Sequence, residues 1–314
     1  MIPFLLALAA VQDDLADPPL SLLAGRLTAR FPAGAVLEPR SRGLMSAPEA
    51  DERETRVVWT SGARKFVIMA YEQLETAGDD LVNDVRGVVK TWEGKFTVAP
   101  FDLKGLRACS IAPAEIDPAQ DAVFLLGLFT AREDRTVQHV AIYANPEAAK
   151  DLAGAAALAK KIAESVAPGK RELAVAAGRR VLHEVEGRKL TIELSEGFVL
   201  TTQKGPDFKV ASLVRLVPLG RPRPLIGVYV GGHPRFHHER ADPPVQVAEE
   251  AGKCLEKDVQ WQLWKGVDAH FAEAILPLPD SRERLLHVFA SGPDAAGLKA
   301  LRAALPTLKL EPAK

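Results

Sequence analysis

The sequence contains none of the short motifs that mark well-known catalytic and nucleotide-binding sites. It has no Gly-rich phosphate loop, no H-E-x-x-H pair, no G-x-S-x-G nucleophile elbow and no cysteine pair at metal-ligand spacing. Because active sites can also be assembled from residues far apart in sequence, this absence makes an enzyme less expected without excluding one.

An excess of charge of one sign is also missing. The chain has 40 Lys and Arg side chains against 41 Asp and Glu, which gives a net charge of −1. No whole-protein field therefore attracts nucleic acid or an anionic bilayer, and we expect no nucleic-acid partner. With 47% hydrophobic and 26% charged residues, the 314-residue chain has an ordinary globular composition and is long enough for about two domains.

Hydrophobic runs of about 20 residues, the length that crosses a bilayer, are absent, so we expect no transmembrane span. The N-terminal run MIPFLLALAA is ten residues long, and its Ala7, Ala9 and Ala10 resemble a signal-peptidase site, although no basic residue precedes it. We predict a signal peptide over residues 1–12 and an extracytoplasmic location, periplasmic or secreted. The alternative is a cytoplasmic chain without a signal.

Cysteine is scarce, since Cys109 and Cys254 are the only two in the chain. An even count permits a disulfide in an exported protein. Two cysteines far apart in a long chain are more often buried apolar side chains, which is the interpretation that the sequence favours.

One phrase of the sequence occurs twice. LTARFPAGAVL at residues 27–37 matches LTIELSEGFVL at 190–200 in five of eleven positions. In both, apolar and polar residues alternate, which is typical of a half-buried strand, and a glycine follows at the same offset. Near the end of each half a strand beginning His-Val, at His139 and His287, is followed by a Pro and a helical pattern. The two matches in the same order indicate a tandem repeat.

Between these ends we predict a helix near residues 79–92 in the first copy and one near 244–257 in the second, among short strands. Four strand-like runs follow the first helix and three follow the second, so a strand pair should be reduced to one strand in the second copy. Short connections between strands favour antiparallel pairing. The predicted fold class is α+β, with repeats at 18–168 and 171–314, each a mainly antiparallel sheet flanked by helices.

This order of elements resembles the PsbP-like family of α/β/α sandwiches. The resemblance is carried by FPAG at residues 31–34 and by the two closing strand-helix units, whereas SEGF at 195–198 departs from the pattern. It implies two helix layers around each sheet. It carries no catalytic residues over, because that family includes binding proteins and photosystem subunits of varied role.

The stretch GGHPRFHHER, residues 231–240, holds three of the seven histidines of the chain. Imidazole nitrogens and a carboxylate are suitable ligands for Zn²⁺. The candidate metal ligands are His233, His237, His238 and Glu239. Pro234 opposes a regular helix that would align His233 with His237, so the competing interpretation is a solvated loop between a strand and a helix.

The same region is biased towards positive charge. From Lys209 to Arg240 there are six basic residues and one acid, Glu239. Such a segment suits an anionic ligand or an acidic partner surface. The candidate binding residues are Arg221, Arg223, Arg235 and Arg240. Because strand residues alternate between faces, these side chains need not converge, and a scattered solvated surface is the alternative.

We therefore expect a non-catalytic, extracytoplasmic binding or assembly protein without a cofactor. Its ligand or partner, a small molecule or another protein, should bind in the cleft between the two repeats or at residues 221–240. The alternative is a zinc-binding protein or metal-dependent hydrolase that uses the His-rich loop at residues 233–239.

Overall fold

A computed structural model describes residues 14–38, 53–118, 120–173, 175, 177–279, 281 and 284–312. The predicted signal peptide, residues 1–12, lies outside them. Strands make up 51% of the structure and helices 16%. The expected α+β class is therefore wrong, because this is a mostly β protein in which helices are a minor component.

The described part of the first half, up to residue 168, forms a small sheet, a large sheet, three α-helices and a short 3₁₀ turn at Leu23–Gly25. Its strands are β1 (Leu20–Leu22), β2 (Leu27–Ala29), β3 (Val36–Glu38), β4 (Glu54–Ser61), β5 (Arg64–Thr76), β6 (Phe96–Pro100), β7 (Arg107–Pro113), β8 (Val123–Ala131), β9 (Thr136–Ala144) and β10 (Ala167–Pro168). Its helices are α1 (Leu81–Val89), α2 (Pro146–Ala149) and α3 (Leu152–Glu164).

The second half, from residue 178, has a longer series of strands and a single closing α-helix among its described residues. The strands are β11 (Gly178–Val185), β12 (Arg188–Leu194), β13 (Phe198–Lys204), β14 (Phe208–Arg215), β15 (Val217–Pro218), β16 (Leu225–Gly231), β17 (Val247–Cys254), β18 (Lys257–Lys265), β19 (His270–Pro277), β20 (Leu285–Gly292) and β21 (Lys309–Pro312). The helix is α4 (Ala295–Arg302).

The large sheets of the two halves have the same strand order. It is β3-β4-β5-β9-β8-β7-β6 in the first half and β13-β14-β16-β20-β19-β18-β17 in the second, and neighbouring strands along both paths are antiparallel. The small sheets, β1-β2-β10 and β11-β12-β21, correspond as well. Strands β5, β8 and β9 therefore occupy the same places as β16, β19 and β20.

The repeated phrase lies at the passage from small sheet to large sheet in each half. LTARFPAGAVL supplies β2 and β3, and LTIELSEGFVL supplies the end of β12 and the start of β13. The chain turns between the two strands at Gly34, with φ +85°, and at Gly197, with φ +94°. These left-handed conformations favour glycine, because a Cβ atom would lie too close to the backbone of its own residue.

The helix expected at residues 244–257 is wrong, since this segment forms the edge strand β17. It pairs with β18 along its whole length, from Val247 opposite Trp264 to Cys254 opposite Lys257. Ala and Glu in VAEEAGKC are good helix formers, but pairing at the sheet edge outweighs this weak local preference. Four strands, β6 to β9, follow α1 in the first half, and four, β17 to β20, follow the segment after β16 in the second half. The expected loss of a strand in the second half is therefore also wrong.

The other predicted helices are confirmed. Helix α1 lies within the predicted range 79–92, and Asp80 accepts a hydrogen bond from the Asn83 backbone amide at its start. Asn145 caps α2. At α4 the capping residue is Asp294. No helix of the described residues is long and apolar enough to span a bilayer.

One face of each large sheet packs against the closing helix and the small sheet to form the main core of that half. The opposite face is covered differently in the two halves. In the first half α1 covers it and packs Leu81, Val85 and Val89 against Phe129 and its neighbours. In the second half the corresponding connection, residues 232–246, is a loop with a short 3₁₀ turn, His238–Arg240. The His-rich segment thus lies on the sheet where the first half has a helix.

The two halves are joined by strand pairing. β15 pairs in parallel with the end of β5, with Val217 opposite Glu75. Arg223 donates from Nη1 to the Gln73 carbonyl oxygen at 3.1 Å, and Leu219 packs on the cluster around α1. These contacts hold the two halves against each other.

Candidate functional site

A buried carboxylate, Glu273 on β19, lies at the centre of the most densely connected polar group in the described chain. Its side chain is 1% exposed. Around Oε2 lie the His237 backbone nitrogen at 2.8 Å, His237 Nδ1 at 3.1 Å and His287 Nε2 at 3.0 Å. Around Oε1 lie the His238 backbone nitrogen at 3.1 Å, His238 Nδ1 at 2.9 Å and Trp264 Nε1 at 2.9 Å. We call Glu273, His237, His238, His287 and Trp264 the Glu273 cluster.

The electrostatics of the cluster favour an ionised carboxylate. Burial would raise the pKa of Glu273, but hydrogen bonds from His237, His287 and His238 outweigh it and hold the pKa well below its usual range. The cluster therefore presents a fixed negative charge to the imidazole rings around it.

Aromatic rings enclose the cluster. Phe236 stacks on His238 with ring centroids 5.1 Å apart, and Phe289 meets His237 edge-on at 4.5 Å. Exposure falls from the loop towards the sheet, since the His237 side chain is 45% exposed and that of His287 only 4%. The cluster is therefore open to solvent on the His237 side and closed beneath.

The structure divides the four metal ligands predicted from sequence. His237 and His238 both contact Glu273, whereas His233 and Glu239 are exposed on the loop. Among the atoms that can hold a metal, His237, Glu273 and His287 offer one each, all within 4.8 Å of one another.

Sequence reasoning missed both Glu273 and His287 as site residues. The available signals were an acid within the otherwise apolar strand AEAIL and a histidine that recurs at the start of the closing strand. Trp261 and Trp264 lie on opposite sides of β18. Trp261 is 2% exposed in the core, while Trp264 donates to Glu273.

The four candidate arginines do not form one site. Arg221 and Arg223 precede β16, and Arg223 contacts the first half through Gln73 and Glu75. Arg235 and Arg240 follow β16 and are exposed on the His-rich loop. A strand of this length separates its two ends by about 20 Å, so the two pairs face different surroundings.

A second polar region lies in the cleft between the halves. This arginine cleft has a volume of about 490 Å³. It is lined by the turn between β1 and β2, the residue before β4, the linker between the halves, β11 and β13. The lining residues are Leu23, Ala24, Arg26, Arg53, Arg171, Glu172, Leu173, Arg180, Val199 and Leu200. The lining thus combines four guanidinium groups and one carboxylate with an apolar wall.

Both cysteines are buried and free, as the sequence favoured. Burial raises the pKa of each thiol to about 12. Neither is therefore a reactive thiolate at neutral pH.

Comparison with known proteins gives little similarity. No family model matches the chain, and no curated protein matches its sequence. Among solved structures, a chain of the Pseudomonas aeruginosa MucA/MucB complex is 9% identical, with 92% of this chain and 89% of that chain covered and a TM-score of 0.18. A structure of MucB in complex with MucA(peri) gives the same identity, coverage and TM-score. This TM-score does not show a shared fold.

Proposed function

We propose that the protein is an extracytoplasmic binding protein that holds a small anionic ligand with an apolar portion in the arginine cleft. The observation that carries this proposal is the composition of the cleft lining, in which Arg26, Arg53, Arg171 and Arg180 surround apolar side chains. The N-terminal signal-like run supports the extracytoplasmic location.

The charge of the cleft suits an anion. Arg26 is itself buried and paired with Glu72 at 2.9 Å. Glu172 is the acid in the lining. The excess of guanidinium groups in a concave, partly apolar space favours a carboxylate, sulfonate or phosphate, which arginine binds through paired N–H donors.

The size and backbone of the cleft also suit a ligand. Its volume of about 490 Å³ lies in the range of small-molecule sites. Leu23 and Ala24, on its wall, both have left-handed backbones, with φ of 51° and 53°. Two consecutive non-glycine residues in this conformation are strained, and such strain is concentrated at ligand sites and clamps.

Fluorescence titration with anilinonaphthalene sulfonate, which combines a sulfonate with apolar rings, tests the proposal. We expect saturable binding that weakens as salt is added, because the arginines are partly screened. The double variant Arg53→Gln/Arg180→Gln should bind about tenfold more weakly or worse, since a hydrogen bond to a charged group contributes about 1.5–3 kcal/mol.

Arg215→Gln is the matched control, because Arg215 is exposed on β14 and outside the cleft lining. It should bind the probe as the wild type does. No saturable binding by the wild type, or equal weakening in both variants, contradicts the proposal. Sequencing the N-terminus of the mature protein in its own host tests the location, and an intact Met1 rules out processing.

A further inference from the structure

We infer that His237 Nδ1, Glu273 Oε2 and His287 Nε2 form a binding site for one divalent transition-metal ion of the zinc class. The three atoms come from the loop after β16, from β19 and from β20, and they all lie within 4.8 Å of one another. Two imidazole nitrogens and one carboxylate oxygen are a known zinc ligand set, with a fourth position left for water.

The spacing of the atoms suits an ion. Oε2 of Glu273 lies 3.1 Å from His237 Nδ1 and 3.0 Å from His287 Nε2. Tetrahedral zinc, with bonds of about 2.1 Å, separates its ligand atoms by roughly 3.4 Å. The two imidazole nitrogens lie within 4.8 Å of each other, so the half-exposed His237 has to move towards His287 to place the three atoms around an ion.

The Glu273 carboxylate is surrounded by more nitrogen atoms than it can bind as an acceptor. Three nitrogens lie within 3.1 Å of each oxygen, six in all. A carboxylate has about four lone-pair sites. A cation at Oε2 resolves this crowding, because His237 and His287 then turn lone pairs to the metal instead of competing to donate a proton.

The remaining contacts provide the outer support that metal sites need. Trp264 Nε1 and His238 Nδ1 both approach Oε1 at 2.9 Å. The backbone amides of His237 and His238 donate to the two oxygens. Such contacts fix the orientation of a ligating carboxylate and leave Oε2 directed at the ion.

The first half has a position that corresponds to Glu273, but it has no metal-binding group there among its described residues. Tyr71 pairs with His139 across β5 and β9, as Tyr229 pairs with His287 across β16 and β20. Ala141, two residues after His139, lies opposite Gly127 on β8. Phe289, two residues after His287, lies opposite Glu273 on β19. Gly127 therefore corresponds to Glu273.

His139 has an apolar environment as a result. Its ring stacks on Phe129 at 4.3 Å, and its buried Nε2 atom has no hydrogen-bond partner among the residues that the structure describes. A histidine at this position thus packs in the core without a carboxylate. The second half instead places the charged Glu273 side chain there, and a charge is costly to bury unless it is paired or coordinates a metal. The second half also has a loop in place of helix α1, and this loop supplies His237.

Equilibrium dialysis of chelator-treated full-length protein against ZnCl₂, with the visible absorption of Co²⁺ as a second probe, tests the site. We expect one ion per chain and a Co²⁺ spectrum of low coordination number. His237→Ala should weaken Zn²⁺ binding by at least about a hundredfold, because loss of even an outer-sphere contact at a zinc site costs about 10–100-fold.

His233→Ala is the control, since His233 lies in the same loop but outside the three ligands, and it should bind Zn²⁺ as the wild type does. Glu273→Gln keeps the size of the side chain and should also lose binding, which covers the case that His237→Ala does not fold. If the wild type shows no saturable Zn²⁺ or Co²⁺ binding, Glu273 only anchors the loop and the inference is wrong. An equal loss in His233→Ala also overturns it.

Discussion

Nε2 of His287 lies 3.0 Å from Oε2 of Glu273, and this contact joins two adjacent strands on the face of the sheet that the His-rich loop covers. The same carboxylate accepts hydrogen bonds from the backbone amides of His237 and His238. Glu273 therefore ties the loop to the sheet, whatever else it binds.

We expect Glu273→Ala to destabilise the metal-free protein by about 3–5 kcal/mol, as breaking a buried, hydrogen-bonded charge network does. The variant leaves the amides of the loop and the Trp264 indole without their acceptor. Urea unfolding followed by tryptophan fluorescence measures the loss. Glu249→Ala on the exposed edge strand β17 is the control and should change stability by about 0.5 kcal/mol or less. Equal effects of the two substitutions would contradict this anchoring role.

In the first half, the corresponding position has no room for a side chain. A Cβ atom at Gly127 would lie 3.0 Å from His139 Nε2 and 3.1 Å from Phe124 Cζ. We expect Gly127→Ala to destabilise the protein by about 1–3 kcal/mol through overpacking.

Gly87→Ala gives the opposite expectation. Gly87 is exposed on α1, and its Cβ would meet nothing within 4 Å. The substitution should stabilise the protein by up to about 1 kcal/mol, because alanine is the better helix former. Thermal unfolding of both variants checks the pair, and a Gly127→Ala protein as stable as the wild type would show that the site can relax.

Much of the second half could be predicted from local sequence patterns. Alternating runs predicted β14, β16, β18, β19 and β20, because each strand has one core-facing side. The edge strand β17 was missed because it is almost wholly exposed, so its sequence carries no alternating apolar pattern and its helix formers were misleading.

The candidate site could be predicted only in part, for a related reason. His237 and His238 are noticeable as neighbours in sequence. Glu273 and His287 lie on separate strands, and only the register that puts Glu273 opposite Phe289 brings the two side chains together. A one-residue slip would place Glu273 on the other face of the sheet. Register depends on the whole sheet, so no local pattern shows it.

Acid should destabilise the first half through His139. Burial lowers the pKa of His139 to about 4, below its ordinary value of 6.5. The unfolded chain therefore binds a proton at a higher pH than the folded chain does. The stability contributed by a neutral His139 is fully present above pH 6.5 and is lost as the pH falls towards 4.

Comparison with His139→Phe isolates this effect. Between pH 6.5 and pH 4 the free energy of unfolding of the wild type should fall by about 3 kcal/mol relative to the variant, because phenylalanine binds no proton. The difference between the two proteins is needed because burial also raises the pKa of Glu72 to about 7, which gives a pH dependence of the opposite sign. Urea unfolding at several pH values measures it, and parallel curves for the two proteins would contradict the prediction.

A buried ion pair beside the arginine cleft offers the last prediction. Arg26 Nε lies 2.9 Å from Glu72 Oε2, with both side chains almost fully buried, and Gln138 donates to the other oxygen of Glu72 at 3.1 Å. Asp134 is a second, more distant acid, 3.7 Å from Arg26. Glu72→Gln keeps the shape of the side chain but removes the acid nearest to the Arg26 charge. We expect it to cost about 3 kcal/mol above pH 7, where Glu72 is ionised, because removing one partner of a buried pair leaves an uncompensated charge.

The double variant Arg26→Met/Glu72→Gln separates charge from packing. It removes both charges, so it should recover part of the stability that Glu72→Gln loses, since replacing a whole buried pair is far less costly than breaking it. Urea unfolding of the wild type, both single variants and the double variant forms a complete cycle. If the two single effects add without recovery, Arg26 and Glu72 do not stabilise each other, and the guanidinium group of Arg26 is then held by Thr136 and Asp134.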